Sequence, residues 1–242
     1  MSISVLPDQQ SDLNKKKQIE HMFDEIAPKY DFLNRFMSLR IDVLWRKKVI
    51  RLLKPFQPKH ILDVATGTAD LAIALQALHP EKIIGLDLSE QMLSIGRVKV
   101  NDKQLHPLIE LVKGDSENLP FPDNSFDAVT VAFGVRNFEN LEQGLQEIKR
   151  VLKPGGQFII LEFSKVKIFP FKQFFGFYFR YITPRLGRFI SHSSKAYSYL
   201  TNSVAVFPEG KEMCVILQQQ GFKKTQCHTL SLGIASIYHS EK

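Results

Sequence analysis

Short apolar segments that alternate with amphipathic ones across residues 60–163 restrict this chain to one kind of architecture. The apolar segments have the length and residue types of buried strands, and they lie at residues 60–65, 82–86, 108–112, 126–133 and 158–163. The segments between them predict helices at residues 69–78, 89–100 and 141–152. Strands that alternate with helices pair in parallel through right-handed crossovers. The sequence therefore predicts an α/β domain around a mostly parallel sheet with helices on both faces.

The residues before this core are predicted to cover it within a single domain over residues 18–242. Residues 1–17 are polar and predict a mobile tail. Residues 18–54 carry apolar side chains at helical spacing, with interruptions at Pro28 and at residues 34–38. They predict two or three covering helices.

The residues after the core are predicted to complete a seven-stranded sheet. An aromatic-rich insertion at residues 165–206 breaks the rhythm of strands and helices. A helix at residues 209–220 then ends at Gly221. Segments at residues 223–228 and 234–238 predict two closing strands in an antiparallel pair.

Charge and cysteine content narrow the kinds of partner and compartment. The net charge of +7 favours anionic partners such as nucleic acid, anionic lipid or an acidic substrate. The two cysteines fit neither a metal site nor a disulfide framework. No apolar run reaches the roughly 20 residues that span a bilayer, and the N-terminal residues lack the apolar core of a secretory signal. We expect a cytoplasmic protein, either free or at the inner face of the cytoplasmic membrane.

The turn after the first predicted strand, DVATGTAD at residues 63–70, consists mainly of small residues. A nucleotide-type ligand needs small residues there, because backbone N–H groups must approach it closely. Gly67 is its only glycine, and the pattern G-x-G-x-x-G is absent. The turn therefore argues against a pyrophosphate cradle and against NAD.

Acidic residues follow the next two predicted strands. Asp87 comes after the second strand, where a carboxylate can accept hydrogen bonds from two ribose hydroxyls. Asp115 and Ser116 come after the third strand, where a carboxylate suits the amino group of an adenine. Each acidic residue alone is more often a helix cap or a turn residue. Their joint appearance at successive strand ends predicts a nucleotide-type site.

Several motifs together resemble the class I S-adenosylmethionine methyltransferases, which implies a Rossmann-like fold. They are DVATGTAD at residues 63–70, Asp87, Gly114–Asp115, LPFPDNSFD at residues 119–127 and RVLKPGG at residues 150–156. Three further runs resemble the ubiquinone/menaquinone biosynthesis C-methyltransferase family, namely APKYDFLN at residues 27–34, FGVRN at residues 133–137 and LEFS at residues 161–164. The resemblance covers nearly the whole chain.

The resemblance implies S-adenosylmethionine as the cofactor. The candidate cofactor-binding residues are Asp63, Gly67, Thr68, Asp87, Asp115 and Ser116. The family's usual Gly-Gly-Thr-Gly turn reads Thr-Gly-Thr-Ala at residues 66–69. We expect the extra methyl group of Ala69 to be tolerated at the start of a helix and to weaken cofactor binding at most.

The resemblance also implies methylation of a ring carbon of a polyprenyl quinol. The run FRYI at residues 179–182 resembles the menaquinone branch of the family, which favours demethylmenaquinol as the acceptor. Methylation of 2-methoxy-6-polyprenyl-1,4-benzoquinol in ubiquinone biosynthesis is the alternative. The sequence does not determine the length of the isoprenoid tail. It also does not decide whether the protein forms a homo-oligomer.

Three residues are candidates for the chemistry of such a transfer. The reaction needs alignment of donor and acceptor and a ring hydroxyl that loses its proton. Arg136 suits a developing phenolate, Asn137 suits a ring oxygen, and Tyr30 suits a substrate contact or proton transfer. A local ion pair, a turn cap and core packing are their structural alternatives. The general base is not identified, and His192 is more simply explained as a solvated loop residue.

The segment at residues 168–190 is the strongest sequence signal for a hydrophobic substrate. It interleaves phenylalanine and tyrosine with lysine and arginine. Such a mixture suits a peripheral membrane contact or a lid over an isoprenoid tail. A helical layer packed on the sheet is the equal alternative.

Two other classes of function compete with this interpretation. A nucleic-acid methyltransferase would suit the positive charge. Residues 133–136, however, lack the Asp/Asn-Pro-Pro-aromatic run of base-amino methyltransferases. Cytosine-C5 methyltransferases need a nucleophilic cysteine near this stretch, and neither cysteine of the chain is close to it in sequence. We therefore expect no nucleic-acid partner. A non-catalytic scaffold that binds the cofactor would suit an eroded site, whereas Thr68, Asp87 and Asp115 are all present.

Overall fold

A mixed seven-stranded sheet forms the centre of the structure, a computed structural model that describes residues 5–38, 40–166 and 194–242. Its strands are β1 (His60–Val64), β2 (Lys82–Asp87), β3 (Ile109–Lys113), β4 (Phe126–Ala132), β5 (Leu152–Phe163), β6 (Lys223–Leu230) and β7 (Ala235–Glu241). Their order across the sheet is β3-β2-β1-β4-β5-β7-β6. The first five strands pair in parallel, and β7 runs antiparallel between β5 and β6. The predicted fold class is confirmed.

Helices pack on both faces of this sheet. In the described ranges they are α1 (Lys15–Met37), α2 (Ile41–Leu53), α3 (Asp70–Leu75), α4 (Glu90–Asp102), α5 (Leu141–Val151), α6 (Ser194–Val206) and α7 (Lys211–Gln219). One apolar cluster joins α2, α3 and α4 to one face, and another joins α5 and α7 to the other. Within these ranges, none of the helices is long and apolar enough to cross a bilayer.

Helix α5 follows directly from its sequence. The side chain of Asn140 caps its first turn by accepting a backbone hydrogen bond at 3.2 Å. Leu145 and Ile148 recur at helical spacing and are completely buried against the sheet. Gly144 admits the Phe138 ring, since a Cβ atom at Gly144 would lie 2.4 Å from it. The helix is therefore held by its apolar stripe.

Helix α1 differs from the sequence-based prediction in two respects. It begins at Lys15, inside the segment predicted to be a tail, and it continues through Pro28 without a break. Proline costs a helix one backbone hydrogen bond and a steric contact. Ile19 and Met22, however, are buried in one cluster with Tyr199 of α6. Tertiary packing therefore outweighs the local signal to end the helix.

Two other boundaries also differ from the prediction. Strand β5 begins at Leu152 because the glycine-rich turn forms a bulge in the strand, with Gly155 at φ 75°. Helix α6 lies within the predicted insertion, whereas residues 168–190 and His192 lie outside the described residues. The predicted cap of α4 is confirmed, since the Ser89 hydroxyl accepts from the Met92 N–H at 3.1 Å.

We expect Leu145→Ala to lower the free energy of unfolding by about 2–5 kcal/mol, because it leaves a cavity at a fully buried position. The measurement is urea denaturation followed by circular dichroism. Gln146→Ala is the control on the same helix, at an exposed position, and we expect a change within about 0.5 kcal/mol. Equal losses in both variants would contradict the packing described for α5.

Candidate active site

A cleft lies at the carboxyl edge of the parallel strands, between the sheet and helix α1. It encloses about 700 Å³, including the solvent at its mouth. Five of the residues singled out from the sequence line it, namely Tyr30, Gly67, Asp87, Ser116 and Asn137. Asp63, Thr68, Asp115 and Arg136 are not among its lining residues, but each lies one or two residues along the chain from a residue that is. The strand ends and α1 thus bring the candidate residues to one place.

The turn after β1 is held in a left-handed backbone conformation. Ala65, Gly67 and Ala69 all have positive φ, at 54°, 55° and 64°. A residue with a Cβ atom pays roughly 1–2 kcal/mol for this conformation. Ala69 therefore stands at a strained position rather than at an ordinary helix start, and it is completely buried. At Gly67 there is open space where a Cβ would project, so a ligand can reach the backbone there.

Asp63 supports this turn from below. Its carboxylate accepts from the hydroxyls of Thr66 at 2.7 Å and Thr130 at 2.6 Å, and only 1% of the residue is exposed. Burial raises the pKa of Asp63 to about 6, against the two hydroxyl hydrogen bonds that lower it. The geometry gives Asp63 a supporting position under the turn rather than a direct position in the cleft.

Asp87 joins the ends of β1 and β2. One oxygen accepts from the Gly67 N–H at 2.8 Å, and the other accepts from the Ser89 N–H at 2.9 Å. Burial raises the pKa of Asp87, and these two backbone hydrogen bonds oppose the rise. Each carboxylate oxygen has a second lone pair for a further donor. Asp87 is thus positioned to receive hydroxyl groups from the cleft.

The end of β3 is paired with α1. Asp115 accepts from Lys16 Nζ at 2.6 Å and from the Glu117 N–H at 2.9 Å, and Lys16 also lies 3.3 Å from Glu117. Burial alone would lower the pKa of Lys16, but the hydrogen bond and charge of Asp115 and Glu117 hold it above its usual value. Ser116, 8% exposed, lines the cleft beside this pair. No sequence motif had indicated Lys16 as the partner of Asp115.

Two further contacts tie α1 to the turn and to α4. Thr68 donates to Asp31 at 2.6 Å, and Lys99 bridges Asp31 and Thr68 at 2.9 and 3.1 Å. Ser89 donates to Asp24 at 2.5 Å. Thr68, predicted as a cofactor contact, therefore faces α1 in this structure. The missed partners were detectable in principle, because positions 16, 24 and 31 fall on one side of a helix.

Arg136 lies in a 3-10 turn, Val135–Asn137, that follows β4. Its guanidinium is 7% exposed and pairs with Glu162 at 2.8 Å, donates to the Phe133 carbonyl and lies 5.7 Å from the Phe163 ring centroid. Burial raises the pKa of Glu162, and the charge of Arg136 opposes that rise. The Arg136 Nε–H is buried without an acceptor among the described residues.

Asn137 lines the cleft and is held by a residue that the sequence did not indicate. The hydroxyl of Tyr199 in α6 donates to Asn137 Oδ1 at 3.1 Å. Burial raises the pKa of Tyr199 to about 12 and also raises the pKa of Tyr30, which lines the cleft from α1. Both phenols are therefore neutral hydrogen-bonding groups near pH 7. With Oδ1 occupied, the Asn137 amide N–H groups are left to donate to a ligand.

The lining of the cleft contains carboxylates but no histidine among the described residues. Glu117 accepts from the Glu139 N–H at 2.6 Å, and Glu139 accepts from the Lys15 N–H at 3.2 Å. Lys15 also donates to the Phe138 carbonyl at 2.7 Å. These carboxylates are thus engaged by the first turn of α1, and no general base stands out in this part of the chain.

Comparison with solved structures identifies the class of fold. The structure is similar to one titled SAM-dependent methyltransferase, possible histamine N-methyltransferase, from Thermotoga maritima, at a TM-score of 0.61 and 20% identity, covering 92% of this chain and 99% of that one. It is also similar to a putative O-methyltransferase from Nostoc punctiforme, at a TM-score of 0.64 and 18% identity, covering 91% and 60%. The fold is that of the Rossmann-like methyltransferases.

Comparison with curated sequences identifies the family. Residues 10–242 match the model of the ubiE/COQ5 methyltransferase family. A demethylmenaquinone methyltransferase of Bacteroides fragilis is 47% identical over 233 residues, covering 96% of this chain and 95% of that protein. A ubiquinone/menaquinone biosynthesis C-methyltransferase UbiE of Geotalea daltonii is 44% identical over 230 residues, covering 94% and 97%. The chain belongs to the ubiE/COQ5 methyltransferase family.

We expect Asp63→Asn to remove a pH dependence of stability. The pKa of Asp63 in the folded state, about 6, exceeds its ordinary value of 3.8, so the folded protein binds this proton more tightly. The wild type therefore loses about 3 kcal/mol as the pH rises from about 4 through 6, whereas the variant has no such group to titrate. Urea denaturation from pH 4 to 7 measures the free energy of unfolding of both proteins. A gap between wild type and variant that stays the same at every pH would contradict the titration of Asp63.

Proposed function

We propose that this methyltransferase transfers a methyl group from S-adenosylmethionine to a ring carbon of demethylmenaquinol. The observation that carries the proposal is the similarity along nearly the full chain to demethylmenaquinone methyltransferases, including that of Porphyromonas gingivalis at 44% identity. That similarity favours a quinol acceptor over nucleic acid and over a non-catalytic scaffold. The methoxybenzoquinol of ubiquinone biosynthesis is the second candidate, because relatives named for both pathways are also 40% or more identical.

The residues at the strand ends fit S-adenosylmethionine. Asp87 has spare lone pairs for the ribose hydroxyls, and the open space at Gly67 lets the ligand lie close against the backbone of the turn. Ser116, which lines the cleft, suits a contact with the adenine. The neighbouring Asp115 carboxylate suits the adenine amino group, which would share it with Lys16. When bound, the sulfonium group supplies the electrophilic methyl carbon.

The chain's own groups then act on the quinol ring. Asn137, oriented by Tyr199, donates an amide N–H to one ring oxygen. The Arg136 Nε–H is buried outside the cleft lining and lacks an acceptor among the described residues, so we propose that it donates to the oxygen that becomes negative once the turn at residues 135–137 shifts toward the ring. Tyr30, a neutral phenol in the cleft wall, contacts the ring from α1. The ring must be reduced, since a quinone has no hydroxyl to lose a proton and no nucleophilic carbon.

We further propose that the enzyme acts as a peripheral protein at the cytoplasmic face of the membrane. The support is chemical, because a polyprenyl tail partitions into lipid while the cleft residues meet only the head group. The aromatic segment at residues 168–190, predicted to contact the tail or the membrane, lies outside the described residues and remains a prediction.

The experiment is a transfer assay with methyl-labelled S-adenosylmethionine. Purified protein is given chemically reduced demethylmenaquinol, the reduced methoxybenzoquinol, or either quinone without reductant. We expect label in the naphthoquinol and none in the quinones. Label in both quinols would make the enzyme dual, and no label in any acceptor while the cofactor still binds would overturn the quinol assignment.

Asp87→Ala is the matched variant for this assay. We expect it to weaken cofactor binding by at least tenfold, because a ligand hydrogen bond to a charged group contributes about 1.5–3 kcal/mol. Isothermal titration with S-adenosylhomocysteine measures the Kd. An unchanged Kd in a folded variant would remove Asp87 from the site.

We expect Tyr199→Phe to lower kcat two- to tenfold while the Kd of the cofactor stays the same. Asn137 loses the hydrogen bond that orients its amide, and one such bond contributes about 0.5–1.5 kcal/mol. Tyr238→Phe is the control, since it removes an equally buried hydroxyl that instead accepts from the Gly210 N–H at 2.8 Å. A similar loss of kcat in both variants would reduce Tyr199 to a packing residue.

A further inference from the structure

Helix α2 presents a solvent-facing stripe that is both cationic and apolar. At 100° per residue, four positions of the helix and the residue on either side of it fall within about a third of its circumference. They are Arg40, Val43, Leu44, Lys47, Arg51 and Lys54. All six are exposed, with Leu44 61% exposed and Val43 38% exposed. We call this set the α2 stripe.

The charge of the α2 stripe is uncompensated. Its four basic residues form no ion pair with any part of the chain that the structure describes. The one acidic residue of α2, Asp42, is buried on the opposite side, where it pairs with Arg46 at 2.7 Å and accepts from Ser38 at 2.6 Å. Four like charges on one face repel one another, so their clustering does not serve the stability of the helix.

The opposite side of α2 fixes the helix to the domain near the cleft. Trp45 packs against Phe133 and Phe163, with ring centroids 6.1 and 6.2 Å apart, and donates to the Ser231 hydroxyl at 2.8 Å. Phe133 itself lines the cleft. The thickness of one helix, about 10 Å, therefore separates the cleft wall from the α2 stripe.

We propose that the α2 stripe docks the enzyme on an anionic phospholipid bilayer. Basic residues near such a surface contribute about 1 kcal/mol each, and exposed aliphatic side chains enter the headgroup region. A nucleic-acid backbone would use the four cations but would leave Leu44 and Val43 in water. The mixed composition thus fits lipid better than a polyanion. Docking itself does not depend on the proposed reaction. Its purpose rests on the proposed function, because docking would bring the cleft to a substrate whose tail lies in the bilayer.

The test is sedimentation of the full-length chain with vesicles, without cofactor or quinol. Vesicles of phosphatidylglycerol with phosphatidylcholine are compared with vesicles of phosphatidylcholine alone. We expect binding to the anionic vesicles, and at least a tenfold weaker binding for the triple variant Lys47→Gln, Arg51→Gln, Lys54→Gln. Equal binding of the wild type and this variant, or no binding by either, would overturn the proposal.

A matched control separates the stripe from net charge. The triple variant Lys103→Gln, Lys211→Gln, Lys223→Gln removes the same charge from exposed positions on other elements. We expect it to bind anionic vesicles within about twofold of the wild type, since charges beyond a Debye length of about 10 Å contribute little. A loss equal to that of the stripe variant would show non-specific attraction and would refute a docking face.

Leu44→Ser separates lipid from a polyanion, because it changes no charge. We expect weaker vesicle binding with unchanged retention on a duplex DNA probe. Tight DNA retention, together with vesicle binding that is absent or unaffected by the Leu44 substitution, would overturn the lipid assignment. Methyl transfer to a quinol dispersed in detergent should persist in every stripe variant. Vesicle binding does not depend on turnover, so a failure of the proposed reaction and a failure of docking give distinct results.

Discussion

The parallel pairing of β1 with β2 and β4 fixes where the polar groups of the cleft lie. Val64 is in register with Leu86 on one side and with Val131 on the other, so the three strands end at one level. The residues that follow them therefore meet at one edge, where open parallel sheets bind ligands. Asp87 completes the arrangement by accepting the Gly67 N–H across the gap between two strand ends.

Helix α1 covers this edge through contacts of unequal strength. The pair of Lys16 with Asp115 leaves 26% and 28% of the two side chains exposed, and pairs so placed contribute at most about 1 kcal/mol. Ile19 and Met22 are buried, and a fully buried side chain of this size contributes about 1.5–3 kcal/mol. Apolar packing therefore holds the helix, and polar contacts orient it. A ligand whose hydroxyl and amino groups replace those polar contacts costs the structure little free energy. The site can therefore bind a ligand although α1 covers it.

Local sequence rules were sufficient to predict the strands and the cap of α4, but not the hydrogen-bond partners of the side chains in the cleft. The hydroxyl of Ser89 could be placed from a capping rule, because its partner lies three residues away. The hydrogen bond from Tyr199 to Asn137 joins residues 62 apart. It depends on helix α6, which lies in a segment that the sequence predicted only as an aromatic-rich insertion. The continuation of α1 through Pro28 likewise depends on tertiary contacts on both sides of the proline, with α6 before it and from Asp31 to Thr68 and Lys99 after it, and no local pattern contains them.

The buried pair of Arg136 and Glu162 has the features of a group kept for binding rather than for stability. Removing both charges from water costs about as much as their attraction returns. A buried N–H that finds no acceptor in the described part of the chain, as at Arg136 Nε, costs a further 1–3 kcal/mol or so. Arg136 does not line the cleft, so a ring oxygen would accept this N–H only after the turn at residues 135–137 shifts toward it. The hydrogen bond would then recover that free energy, and more of it as the oxygen becomes negative, since charged acceptors form stronger hydrogen bonds. In the proposed reaction the recovery is therefore largest in the transition state, which is the condition for an interaction to accelerate transfer.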